Sequence, residues 1–108
     1  MPIRPKPVFT FPFADTPTPF DVTLAVSDTA EDLVVVPSPK KGRVLSLVNE
    51  GPGAVALAFD ATATTGDLLL EEGDTYDEQN LEISTNISFI NVTPTETPRI
   101  RGILWSSD

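Results

Sequence analysis

The chain has 108 residues, 40% of them apolar, and a formal net charge of −9, enough chain for one domain with a core of its own. It contains neither cysteine nor histidine, which excludes disulfides, thiolate metal sites, imidazole catalysis and a histidine-based pH switch. Its basic residues fall in three clusters, Arg4/Lys6, Lys40/Lys41/Arg43 and Arg99/Arg101, while acids accumulate between Asp67 and Glu82. No nucleic-acid partner is expected of such a surface, because phosphate binding needs basic tracks.

Residues 1–19 read as an extended arm. Prolines at positions 2, 5, 7, 12, 17 and 19 remove amide donors and hold φ near the polyproline value, so helix is excluded. Phe9, Phe11 and Phe13 alternate, and an extended segment would present all three rings on one side. Such rings need cover, either from the domain's own surface or from a partner; contiguous exposed apolar surface favours a partner. Arg4, Lys6, Val8, Phe9, Phe11 and Phe13 are therefore the candidate partner-binding residues. No apolar run precedes the prolines, so the stretch does not read as a signal peptide.

Residues 20–108 read as one β-domain. Phe20, Val22, Leu24 and Val26 alternate with polar or small residues and predict a first strand. A second is expected over 32–36, ended by Pro37-Ser38-Pro39, and a third over 43–48, whose scant polar face suggests a central position. After the loop Asn49-Glu50-Gly51-Pro52-Gly53, residues 54–59 put Val55, Leu57 and Phe59 on one side and three alanines on the other. Those alanines suit close approach of another sheet, an arm or a neighbouring subunit. Residues 60–66 read as a loop with room for one helical turn. Short extended pieces follow at 68–70, 75–77 and 81–84.

Residues 87–92 predict a strand with Ile87 and Phe89 on one face and Ile90 and Val92 on the other; residues 99–105 predict the last. Short strands, frequent turns and no helical stretch predict an all-β fold, a β-sandwich or small jelly roll carrying the extended N-terminal arm. No apolar run is long enough for a membrane-spanning helix, and no membrane partner is expected.

Candidate chemistry is sparse. Asp67, Glu71, Glu72, Asp74, Asp77, Glu78 and Glu82 could supply oxygen ligands to calcium, but the alternating Asp/Asn loop that makes such an assignment specific is missing. A solvated acidic edge that resists unwanted strand pairing is the simpler reading. No serine has a histidine partner, and Ser38 with Lys40 or Lys41 lacks a supporting motif. Gly51-Pro52-Gly53 lacks the lysine and helix of a phosphate loop. The sequons at Asn86 and Asn91 read as strand chemistry. Trp105 reads as core or interface packing, with sugar stacking beside Tyr76 as the alternative. Arg99 and Arg101 share a side of the last strand and could pair with that acidic edge, of the same or a neighbouring subunit. No enzyme and no cofactor are expected.

From Arg43 onward one order of features stands out: Val44-Leu45-Ser46-Leu47-Val48-Asn49-Glu50-Gly51, the apolar strand ending in Phe59, the Ala/Thr loop 61–65, Leu68-Leu69-Leu70, Glu72-Gly73-Asp74-Thr75, and the strand ending Arg101-Gly102-Ile103-Leu104-Trp105. Over about the last 65 residues the chain resembles the small β-sandwich proteins of tailed-bacteriophage virions. The resemblance implies a capsid decoration (cement) protein on the exterior of the virion, with the major capsid protein as partner. It also implies a homotrimer whose arms lie across neighbouring capsid subunits, and no catalytic residues. Head-fibre or tail adaptor proteins share the fold. A carbohydrate-binding module is the expectation from a different class.

Overall fold

The computed structural model describes residues 14–26 and 28–108. Eight strands follow one another: β1 (Thr16–Thr23), β2 (Ala30–Val35), β3 (Lys41–Gly51), β4 (Val55–Phe59), β5 (Leu68–Leu70), β6 (Thr75–Glu78), β7 (Asn86–Asn91) and β8 (Arg99–Ser107). They form two packed antiparallel sheets, one in the order β1-β8-β3-β6 and the other β2-β7-β4-β5. The protein is an all-β sandwich. Every connection except β4–β5 crosses from one sheet to the other.

The inner faces follow the alternation in the sequence. Leu45, Leu47, Ile100 and Leu104 of one sheet meet Val34, Val55, Leu57, Ile87 and Phe89 of the other, with Phe20 and Val22 packed against them. The third strand is central as predicted, lying between β8 and β6. Val26, assigned to the inner face of the first strand, is instead 49% exposed, because β1 ends at Thr23. Residues 81–84 make only an isolated bridge, Gly42 to Ile83, and the 60–66 loop contains no helical turn.

β1 begins four residues earlier than the alternation predicts, so Thr16–Pro19 belong to the sheet although the prolines assign them to the arm. The reason lies at the sheet edge. Leu24 N–H donates toward β8's side, to Pro98 O, so the even-numbered amides face the ladder. Pro17 and Pro19 thus lack hydrogens only on the open side, where nothing needs them.

The alanines of β4 also have a local explanation. The β4–β5 connection folds over the outer face of its sheet, and Ala63 packs with Ala56 and Ile90, with Ala30, Ala58 and Val92 around them. Ala63 N–H donates to Ser88 Oγ at 3.0 Å, which satisfies a hydroxyl buried in that layer. The cover at Ala56 is the chain's own loop.

Strand directions set two poles. The connections β1–β2, β3–β4, β5–β6 and β7–β8 share one pole; the other three share the opposite pole with the start of β1 and the end of β8. At the first pole the loops are tied by two buried asparagines. Asn49 Nδ2 donates to Gly53 O and Leu70 O, both at 3.0 Å, and its Oδ1 accepts from Gly51 N–H at 2.8 Å. Asn91 Nδ2 donates to Glu96 O while Oδ1 accepts from Thr93 N–H. The sequon at Asn91 is thus a loop tie. At the opposite pole the Asp60 carboxylate accepts from the amides of Ser84, Thr85 and Asn86 and from the Thr85 hydroxyl.

Candidate functional site

The outer face of the β1-β8-β3-β6 sheet carries a surface depression of about 870 Å³, open to solvent. Its side chains come from the positions that alternate with the core residues. In register, Trp105 lies between Pro17 and Val44, Ile103 between Pro19 and Ser46, and Arg101 between Asp21 and Val48. Beyond β3, Asp77 stands beside Ser46 and Thr75 beside Val48. The face is apolar toward the pole of the chain ends and charged toward the other.

The charged half is a connected set. Arg99 Nε donates to Asp21 Oδ1 at 2.8 Å and its Nη2 to Oδ2 at 2.5 Å, a two-pronged pairing across β8 and β1. Glu50 lies between the two arginines, 3.9 Å from Arg99 Nη1 and 3.6 Å from Arg101 Nη1. The bond from Arg99 holds the Asp21 carboxyl below its ordinary range, and that same bond keeps the Arg99 guanidinium more firmly protonated. These groups are about half exposed, so their worth is orientation rather than stability. On β3, Ser46 Oγ donates to Asp77 Oδ1 at 2.5 Å.

The two arginines therefore face the same way, as the sequence predicts, but their acids are Asp21 and Glu50 of the same sheet, not the 67–82 stretch. Some acids of that stretch serve their own loops, while Asp77 and Glu82 reach β3. Asp67 accepts from Thr64 N–H and Asp74 from Glu71 N–H; Glu78 accepts from Gln79 N–H, and Glu82 pairs with Arg43. Among the described residues no three carboxylates gather as a metal-binding group. Lys40 pairs with Asp15 and Asp108, and Lys41 donates to Ser84 Oγ, so both are engaged away from Ser38.

Tyr76 and Trp105, joined in sequence reading as alternative stacking groups, are separated by the fold. Tyr76 turns inward against Phe59, ring centroids 6.1 Å apart, and burial pushes its hydroxyl pKa up. Trp105 is on the outer face rather than in the core, because β8 buries Leu104 beside it. Arg4, Lys6, Val8, Phe9, Phe11 and Phe13 lie outside the described residues. Sequence reasoning missed Asp21, Glu50 and Asp77 as part of one face. The period of two marked Asp21 as pointing away from the core, but Glu50 was read as loop and Asp77 as part of a short extended piece, and nothing local announced that β1, β8, β3 and β6 are neighbours.

No family model matches the chain, and no curated protein or solved structure matches it.

Proposed function

We propose that the chain is a virion structural protein, a decoration protein that binds and reinforces the exterior of a phage head. The observation that carries this reading is the strand order. An eight-stranded sandwich ordered 1-8-3-6 over 2-7-4-5 supports a jelly roll, an architecture used by viral capsid and lectin domains alike. Fold alone does not choose between those uses. The site chemistry leans toward the first. A carbohydrate-binding module would draw on Trp105 and Tyr76 together, and Tyr76 is committed to the interior.

In this reading the protein carries no catalytic site, in keeping with a sequence that lacks histidine and cysteine. The partner is the major capsid protein, and attachment runs through Arg4, Lys6, Val8, Phe9, Phe11 and Phe13. Three largely buried phenyl rings would contribute several kcal/mol at about 25 cal/mol per Å² before ordering costs. A trimer would multiply such modest contacts into strong retention on a particle.

The test is uptake by heads of the encoding virus, purified without accessory proteins. Saturable binding at many symmetry-related positions supports decoration. Binding at a single vertex or on the tail would favour the head-fibre or adaptor reading, and chelator-sensitive glycan binding would favour the carbohydrate module. Unchanged uptake of a Phe9→Ala/Phe11→Ala/Phe13→Ala variant would overturn attachment through the arm.

A further inference from the structure

We infer that the outer face of the β1-β8-β3-β6 sheet pairs with the same face of a second copy of this chain, about a two-fold axis that runs along the strands between β8 and β3. The contact goes beyond the capsid reading and does not rest on it, since faces paired in this way can join copies however they sit on a particle.

Charge narrows which surfaces of two copies can meet. The chain holds 16 acids against 7 bases, so most of its surface repels a second copy. Among the described residues the cations are Lys40, Lys41 and Arg43 near the chain ends, and Arg99 and Arg101 on this face. The strands of the other sheet carry no cation, only Glu31 and Asp32, and offer a second copy no charge of opposite sign. Growth through the β1 edge is closed as well, because Pro17 and Pro19 lack donors there.

Register supplies the complementarity. A two-fold along the strands exchanges β8 with β3, and β1 with β6, at each level of the sheet. Within one copy Trp105 lies beside Val44, Ile103 beside Ser46 and Arg101 beside Val48, while Glu50 stands in the bulge between Asn49 and Gly51, next to Arg99. Laid face to face, Trp105 therefore meets the partner's Val44, Ile103 meets Ser46, Arg101 meets Val48, and Arg99 meets Glu50. Each pair occurs twice, and no like charges confront one another. Asp21 and Asp77, on the outer strands, come opposite Thr75 and Pro19.

The result has an apolar centre and a polar rim, as protein contacts do. Both sheets then run in nearly the same direction, the aligned packing that twisted sheets adopt. Glu50 is 37% exposed although it stands 3.6 Å from Arg101 Nη1 and 3.9 Å from Arg99 Nη1, so a guanidinium from across the axis can reach it. The face is about 19 Å wide across four strands and about 24 Å long beside β1. That is the size of a small contact, one that holds copies weakly and reversibly.

Trp105 is the single tryptophan of the chain, so its emission reports on this face. Sedimentation of the full chain over a dilution series should show a reversible dimer, and emission should shift red as the dimer dissociates. Ile103→Glu should weaken association about tenfold or more. The sharpest test is by charge. Arg99→Glu sets an acid against the partner's Glu50, and Glu50→Arg sets a cation against the partner's Arg99, so each variant alone should associate about tenfold or more weakly. Mixed in equal amounts the two should regain most of the parent's association, since both pairs across the axis are then of opposite sign. Contacts within one copy are the same alone and mixed, so a gain on mixing reports pairing between copies alone. A parent chain that stays monomeric up to millimolar concentration, or emission unmoved as the dimer dissociates, would overturn the contact. No gain on mixing would overturn the two-fold arrangement. Should a charge variant lose the strand-rich circular dichroism of the parent, Ile103→Glu still decides, and association as strong as the parent's would overturn the face.

Discussion

Asn49 and Gly102 show how much of the sandwich rests on single side chains, or on the lack of one. Asn49 is fully buried, and its amide satisfies two carbonyls and one amide from two stretches of chain, the turn at 51–53 and Leu70. Asn49→Ala should cost about 3 kcal/mol, since three buried backbone groups lose partners together. Urea denaturation should show a lower midpoint with an unchanged slope. Asn49→Asp should be no better, because its carboxylate would face the Gly53 and Leu70 carbonyls. Gly102 works by being small: a Cβ there would sit 2.3 Å from Ser46 O and 2.7 Å from Leu47 Cβ. Gly102→Ala must therefore push β8 away from β3, at about 2–3 kcal/mol, lowering the melting temperature by on the order of 10 °C. The sequence marked Asn49-Glu50-Gly51 as a loop, whereas β3 runs on through Gly51. It did not mark Asn49 as buried, because an asparagine that ties the end of its strand to a distant one looks locally like any turn asparagine.

At the scale of elements, the sandwich must end its sheets without inviting another molecule to extend them. β1 does so with Pro17 and Pro19, and β2 with a register shift between Asp32 and Val34 and with its own acids. β5 and β6 do so by being three and four residues long. The strands themselves were largely legible, since Phe20/Val22, Val55/Leu57/Phe59 and Ile87/Phe89 alternate as half-buried strands must. Bounds were read less well: β1 starts earlier and ends sooner than the alternation predicts, β3 runs on to Gly51, and 81–84 make only a bridge; at the start of β1, prolines that forbid a central strand are harmless on an edge. Loops were less legible, because their ties are distant in sequence. Asp60 accepts from amides 24 to 26 residues away. Burial pushes its carboxyl pKa up, but the bonds from Ser84, Thr85 and Asn86 together outweigh that and hold it below the ordinary value. A depressed folded pKa adds stability that is complete above the unfolded carboxylate pKa and disappears as pH falls through the folded one. Asp60→Asn should therefore destabilise by about 1–2 kcal/mol near pH 7. The difference from the parent should shrink as pH falls through the lowered carboxyl pKa, below which both side chains are neutral. Melting curves at neutral pH and over an acid series check it.

At the scale of the whole molecule, what local sequence could not show is that β1 and β8 are partners. They stand at opposite ends of the described chain, and alternation within each says nothing of the other. The same separation scattered the candidate face over four distant segments, Pro17 to Asp21, Val44 to Glu50, Thr75 to Asp77 and Arg99 to Trp105, which only the fold assembles. The pairing also brings Thr16 opposite Ser106, while Lys40 reaches both Asp15 and Asp108. Topologically the domain is thus nearly a closed circuit with one nick in it. Joining Asp108 to Ala14 through about four flexible residues should seal that nick, and a new break between the exposed Gln79 and Asn80 should be accepted in its place. Such a rewired chain should keep the strand-rich circular dichroism of the parent and melt within about 10 °C of it. Its new ends would still issue from the same pole, leaving the four loops at the far side free to carry grafted sequence outward.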